Sequence, residues 1–238
     1  MPISPFSNSL KSIKRKTISA EILSMITDSI LAGDLKPGEK LPTETELSET
    51  LGVGRNSVRE AVKMLLSLGV VEVRRGAGTF IATSMNGSIL DPLLLSLAIE
   101  QGASRDLVDL RLMIEIGAAK LAIEQAKDED VLRLEKANEE LKKAAEKRIT
   151  DSASLRETDL NIHYTLFDIT GNRFVAKIGK AIYKMFMASI EKTVEIDPYK
   201  AYLNHKLYID AIKARDRASV GSKIREALAE WIDYVNKQ

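Results

Sequence analysis

Three short runs of this chain hold residue types whose spacing could do chemistry. In DLNIH, Asp159 and His163 stand four apart, so on a helix their carboxylate and imidazole share one face. A carboxylate beside a neutral ring nitrogen suits a divalent cation. His205, the second of only two histidines, opens a run H-x-x-x-x-x-A-I-x-x-x-D that ends at Asp216. Arg111 and Glu115 are also four apart, close enough on a helix to pair with each other. Arg55 and Arg59 repeat the spacing with Asn56 and Ser57 between them. A planar guanidinium fork suits guanine O6 and N7, or a phosphate. Taken singly, each feature has a plainer reading, an Asp–His hydrogen bond or a solvated surface arginine.

The elements that must position these residues follow from apolar spacing. Ile22, Leu23, Ile26, Ile30 and Leu31 predict a helix over 18–32, with Gly33 as its stop. Pro37-Gly38 and Leu41-Pro42 turn the chain into Thr43, which with Glu46 makes a capping box for a short helix over 44–51. Gly52-Val53-Gly54 is the turn into a third helix whose buried stripe is Val58, Ala61, Val62, Leu65 and Leu68, ended by Gly69. Arg55, Asn56 and Arg59 then fall on its outward, N-terminal side. Strand character over 70–74 and 79–82, joined by Arg75-Gly76-Ala77-Gly78, predicts a hairpin. After a polar stretch, Asp91-Pro92 opens a short helix over 93–99. Longer helices are expected from Ser104 and over 128–147, 154–169, 173–194, 201–214 and 218–235. Short loops between long helices make an antiparallel bundle.

The 238 residues divide accordingly into an N-terminal arm over 1–16, a three-helix-plus-hairpin domain over 17–84, a linker with a short connecting helix over 85–103, and a bundle over 104–238. The fold class is mainly α, a winged helix-turn-helix followed by an antiparallel all-α helical bundle. A 45% hydrophobic content with 5% aromatic and 29% charged residues suits Leu, Ile, Val and Ala helices rather than a β-sandwich. There is no cysteine, which excludes disulfides and thiolate ligands, and a cytoplasmic location is expected. The arm lacks the apolar core of a signal peptide, and no apolar run approaches the roughly 18 residues of a membrane span. A net charge of +1 does not by itself argue for a nucleic-acid partner, so DNA binding must rest on where the arginines stand.

The order of motifs supplies that placement. P-G-x-x-L-P from Pro37, E-x-x-L from Glu44, G-V-x-R-x-x-V-R-E-A from Gly52 and R-x-G-x-G-T-F from Arg74 resemble the winged-helix DNA-binding domain of the GntR family of bacterial transcription regulators. From Asp106 onward, R-x-x-x-E (Arg111, Glu115), D-x-x-x-H (Asp159, His163), G-N (Gly171, Asn172) and the run from His205 resemble the FCD effector domain of its FadR subfamily. The resemblance implies that Arg59 reads a base edge, that Arg55 serves base and phosphate, and that Arg75 and Gly76 bring the wing tip to the minor groove. Asn56 and Ser57 lie beside them. Thr45 stands where several members carry arginine, leaving a hydroxyl as a weaker phosphate donor.

For the bundle the resemblance implies Asp159, His163 and His205 as ligands of zinc, nickel or manganese. Ala227 takes the place of a fourth ligand, usually histidine. A cavity that has lost its metal and binds effector directly is the alternative. Arg111 would anchor a small carboxylate effector, and Asn172 either donates to it or caps a helix. The implied protein is a homodimeric regulator, a repressor on this reading, bound to a pseudo-palindromic double-stranded DNA operator and controlled by an organic or sugar acid. A metal-dependent hydrolase would want a separate general base and substrate cleft, which no motif supplies. An architectural DNA binder would have no use for the acid-binding cluster.

Overall fold

The computed structural model describes residues 17–84, Leu94, Ser96 and 104–237. The expected arm over 1–16 lies outside them, as does nearly all of the expected linker and connecting helix. The chain divides into two compact units, Met1–Ile89 and Leu90–Gln238.

In the first unit α1 (Ile18–Ala32) starts where Thr17 Oγ1 accepts from Ala20 N at 3.2 Å, and it stops at Gly33, whose φ of 85° is open to glycine. The expected capping box opens α2 (Glu44–Leu51). Thr43 N donates to Glu46 Oε2 at 2.7 Å, while Glu46 N donates to Thr43 Oγ1 at 3.3 Å. Ile22 and Ile26 of α1 pack with Val58, Ala61, Val62 and Leu65 of α3 (Arg55–Ser67) in one core, which Val71 and Ile81 of the hairpin close. β1 (Val71–Arg74) and β2 (Gly78–Ile81) pair antiparallel, with Val71 opposite Ile81 and Arg74 opposite Gly78.

The segment around Lys40, expected only as a turn, lies along the free edge of β2. Leu41 N donates to Thr79 O and Ile81 N to Glu39 O, each at 2.8 Å. Three residues are too few to register as a strand by alternation, yet they satisfy an edge that would otherwise be exposed.

The second unit is helical throughout its described residues. Its helices are α4 (Ser104–Gln125), α5 (Asp128–Glu146), α6 (Ser152–Asp168), α7 (Arg173–Tyr183), α8 (Met187–Ile196), α9 (Pro198–Lys213), α10 (Val220–Ala227) and α11 (Ala229–Asn236). α9 packs on α5 and α10, and α6 packs on α5, α7 and α8. Two expected helices are each broken in two. The run over 173–194 is interrupted by a 3-10 turn, Lys184–Phe186, which brings Tyr183 and Phe186 into the core with their rings 5.6 Å apart. The run over 218–235 breaks at Leu228, beside Ala227. Neither break carries a glycine or proline, so apolar spacing runs straight through both. No helix among the described residues is long and apolar enough to cross a membrane.

Candidate functional site

The outward start of α3 presents the positive end of the helix to solvent. Its N-cap is Gly54, which offers no side chain, and its first turn contains no acidic residue, so nothing in the helix itself offsets the positive end of its dipole. Val58 is fully buried and holds the opposite face to the core. Arg55, Asn56 and Arg59 are exposed, and Ser57 is half-buried. Arg59 Nη2 donates to Asn56 Oδ1 at 3.0 Å, so a neutral amide rather than an acidic neighbour orients the guanidinium. Among the described residues Arg55 and Arg75 have no hydrogen-bond or ion-pair partner.

At the hairpin tip Arg74 is engaged by Glu72 at 2.8 Å and lies 4.3 Å from the Phe80 ring centre. Arg75 has no ion-pair partner there among the described residues. Gly76 has a φ of 76°, and Gly78, at 116°, has Lys40 folded over it. Thr45 is half-buried on α2 between the exposed Glu44 and Glu46.

The second constellation lies inside the bundle, where four helices converge. α4 brings Arg111 and Glu115, which are 3% and 0% exposed, and α6 brings Asp159 and His163. α9 brings His205, and Tyr183 enters from the end of α7. His163 Nε2 lies 3.5 Å from Asp159 Oδ2 and 3.3 Å from His205 Nε2, and His205 Nε2 lies 3.5 Å from Asp159 Oδ1. A tetrahedral ion with bonds of about 2.1 Å sets its ligands about 3.4 Å apart, so these spacings fit a divalent cation. All three donors are buried and within 4.8 Å of one another.

The charges agree with that fit. Burial pushes the His205 imidazole down to about 4 against the pull of Asp159, which keeps it neutral and able to donate a lone pair. Burial disfavours the Asp159 and Glu115 carboxylates, but the imidazoles and Arg111 outweigh it and hold both below the usual carboxylate range. Arg111 Nε donates to Glu115 Oε1 at 2.7 Å and offsets that charge. The Asp159 carboxylate is left facing two imidazoles. Buried anionic charge of this kind calls for a cation.

Beside the donors is a cavity of about 50 Å³, lined in part by Arg111, Asp159, His205, Ala227 and Trp231. The Arg111–Glu115 pair is present, and the same guanidinium reaches the cavity: Nε is paired with Glu115, while Nη1 is buried without a hydrogen-bond partner among the described residues. Its guanidinium carbon sits 4.3 Å from the Trp231 ring centre. Ala227 lines the same space, so the position where the resemblance implies a fourth ligand in other members is open here. Asn172 is not among the lining residues. Its Oδ1 accepts from Phe174 N at 2.9 Å and Val175 N at 3.3 Å, which is the helix-capping alternative. Tyr183, Trp231 and Asn204, another lining residue, were not singled out in the sequence. The only usable signals were that Trp231 is the sole tryptophan and that Asn204 adjoins His205.

Family models match a segment of each unit. Residues 18–81 match the family model "Bacterial regulatory proteins, gntR family", and residues 106–230, over half of the chain, match "FCD domain". The HTH-type transcriptional regulator LutR of Bacillus subtilis is 27% identical over 211 residues, covering 86% of this chain and 94% of LutR. The HTH-type transcriptional repressor NanR of Enterobacter sp. is 28% identical over 211 residues, covering 86% of this chain and 80% of its own. A solved structure described as Streptococcus agalactiae GntR aligns with a TM-score of 0.54 at 24% identity, over 92% of this chain and 99% of that one, which supports the fold.

Proposed function

The chain belongs to the gntR family of bacterial regulatory proteins and carries an FCD domain, so it is a DNA-binding transcription regulator and not an enzyme; from that premise we propose that it is a homodimeric repressor controlled by a small organic or sugar acid. The observation that carries the reading is a cavity lined by an arginine whose Nη1 has no hydrogen-bond partner among the described residues and by Asp159 and His205 of a convergent donor triad. Repression is favoured by NanR, itself described as a repressor. Work on DNA places the protein in the cytoplasm.

On this reading Asp159, His163 and His205 would hold zinc, nickel or manganese, which would supply Lewis-acid attraction for the acid's carboxylate. Arg111 Nη1 donates a charge-assisted hydrogen bond to the same carboxylate, and Trp231 covers the guanidinium against water. Ala227 leaves the fourth side open, so the acid meets no imidazole there. Arg59 reads a base edge, Arg55 and Thr45 take phosphate or mixed contacts, Asn56 and Ser57 support them, and Arg75 with Gly76 enters the minor groove. Two such heads on a two-fold axis match a pseudo-palindromic operator. The acid favours a dimer whose heads no longer match its spacing.

Footprinting of the full-length protein on its operator, with and without a panel of organic and sugar acids in the presence of zinc, tests the proposal. One acid should release protection by at least tenfold in affinity. Protection that ignores every acid would remove the sensor function while leaving DNA binding in place.

A further inference from the structure

Tyr183 has no part in any motif, yet its hydroxyl sits at the junction of the buried network. It contacts Glu115 Oε1, and it lies 3.1 Å from His163 Nδ1. A phenol has one proton to give. Glu115 Oε1 also accepts from Arg111 Nε at 2.7 Å, and beside that guanidinium the carboxylate is ionised and can only accept. The phenolic proton therefore goes to Glu115. What remains on the Tyr183 oxygen is lone pairs, and these attract His163 Nδ1 only when that nitrogen carries a hydrogen.

We propose that Tyr183 is a positioning residue that fixes His163 as its Nδ1–H tautomer, leaving Nε2 bare toward Asp159 and His205 and linking that donor through Glu115 to Arg111. The inference rests on the metal-and-acid reading of the cluster and assigns Tyr183 a role in it. In the opposite tautomer Nε2–H would donate to Asp159 at 3.5 Å, and the nitrogen would have no lone pair for a cation. The phenol has no room to swing away. Its ring is fully buried, with the rings of His163, Phe167 and Phe186 at 4.7, 5.1 and 5.6 Å. Three hydrogen bonds thus run from His163 through Tyr183 to Glu115 and from Arg111 to Glu115, so the cation's donor and the acid's anchor share one support. Removing such an outer partner typically weakens metal affinity 10–100-fold.

Because the chain has only two histidines, long-range proton–nitrogen correlation spectra of the nitrogen-15-labelled, EDTA-treated full chain resolve each tautomer, and His205→Gln assigns them. Wild type should show His163 as Nδ1–H. Tyr183→Phe, which keeps the ring and drops the hydroxyl, should show a population of Nε2–H and a 10–100-fold weaker zinc affinity by chelator competition. An Nε2–H tautomer of His163 in wild type overturns the proposal, and that result does not require Tyr183→Phe to fold. Unchanged tautomer and zinc affinity in folded Tyr183→Phe overturn it too. If neither protein binds zinc while the tautomer shift occurs, the positioning role holds and the metal part of the proposed function falls.

Discussion

Replacing Arg111 by methionine keeps most of the side-chain volume and removes the one full positive charge paired with Glu115. The pair is bonded at 2.7 Å with the two side chains 4% and 0% exposed. Two unit charges about 4 Å apart attract by about 4 kcal/mol at an effective dielectric near 20. Breaking a buried pair by deleting one partner costs about 3–5 kcal/mol, because the other charge stays buried. Arg111→Met should therefore lose about 3–5 kcal/mol in urea unfolding of the metal-free protein at pH 7.5, while adding Glu115→Leu should recover much of it. The sign of the pH dependence follows from Glu115. In wild type its carboxyl is held below the usual range, so its stabilisation is present above the unfolded value of 4.5 and is lost as pH falls through the folded one. Without Arg111, burial raises the carboxyl instead, and the folded variant takes up a proton as pH drops toward that value. The deficit should shrink between pH 7.5 and pH 5. Equal stabilities at pH 7.5, or a deficit that grows on acidification, would refute the reasoning.

Three further outcomes are expected. Arg59→Ala should weaken operator binding by about 1–3 kcal/mol and relax preference at one base pair, read by competition with single-base operator variants; unchanged selectivity would remove its base-reading role. Gly78→Ala puts a Cβ at a φ of 116° and 2.8 Å from Lys40 Cε, so the first unit should lose about 1–3 kcal/mol in thermal unfolding, and an unchanged transition would contradict the wing geometry. The unfolded chain protonates His205 near 6.5 but the folded one holds out to about 4, so its contribution, about 3 kcal/mol, should be lost as pH falls through that window. His205→Gln should flatten the stability–pH curve of the EDTA-treated protein there; parallel curves would show that His205 is not held neutral.

How much was legible depended on whether a feature is local. The Thr43–Glu46 box, the stripe of α3 and the hairpin lie within a few residues, so propensity and spacing placed them nearly to the residue. Asp159 and His163 were legible as a pair for the same reason. His205 joins them from 42 residues away, a convergence that spacing alone does not specify and that entered through family resemblance. The breaks at Lys184–Phe186 and Leu228 are made by tertiary packing, which draws Tyr183 and Phe186 into the core without any helix-breaking residue. That same break sets Tyr183 against Glu115 and His163, which is why its place in the site could not be read from the chain.

The most direct measurement is elemental analysis with native mass spectrometry on protein purified without chelators, followed by operator affinity of the same sample before and after EDTA. One divalent ion per chain, a retained small carboxylic acid, and an operator affinity that changes when both are stripped are expected. Metal-free protein whose stability and operator affinity ignore added zinc, nickel and manganese, with or without acids, would contradict that expectation.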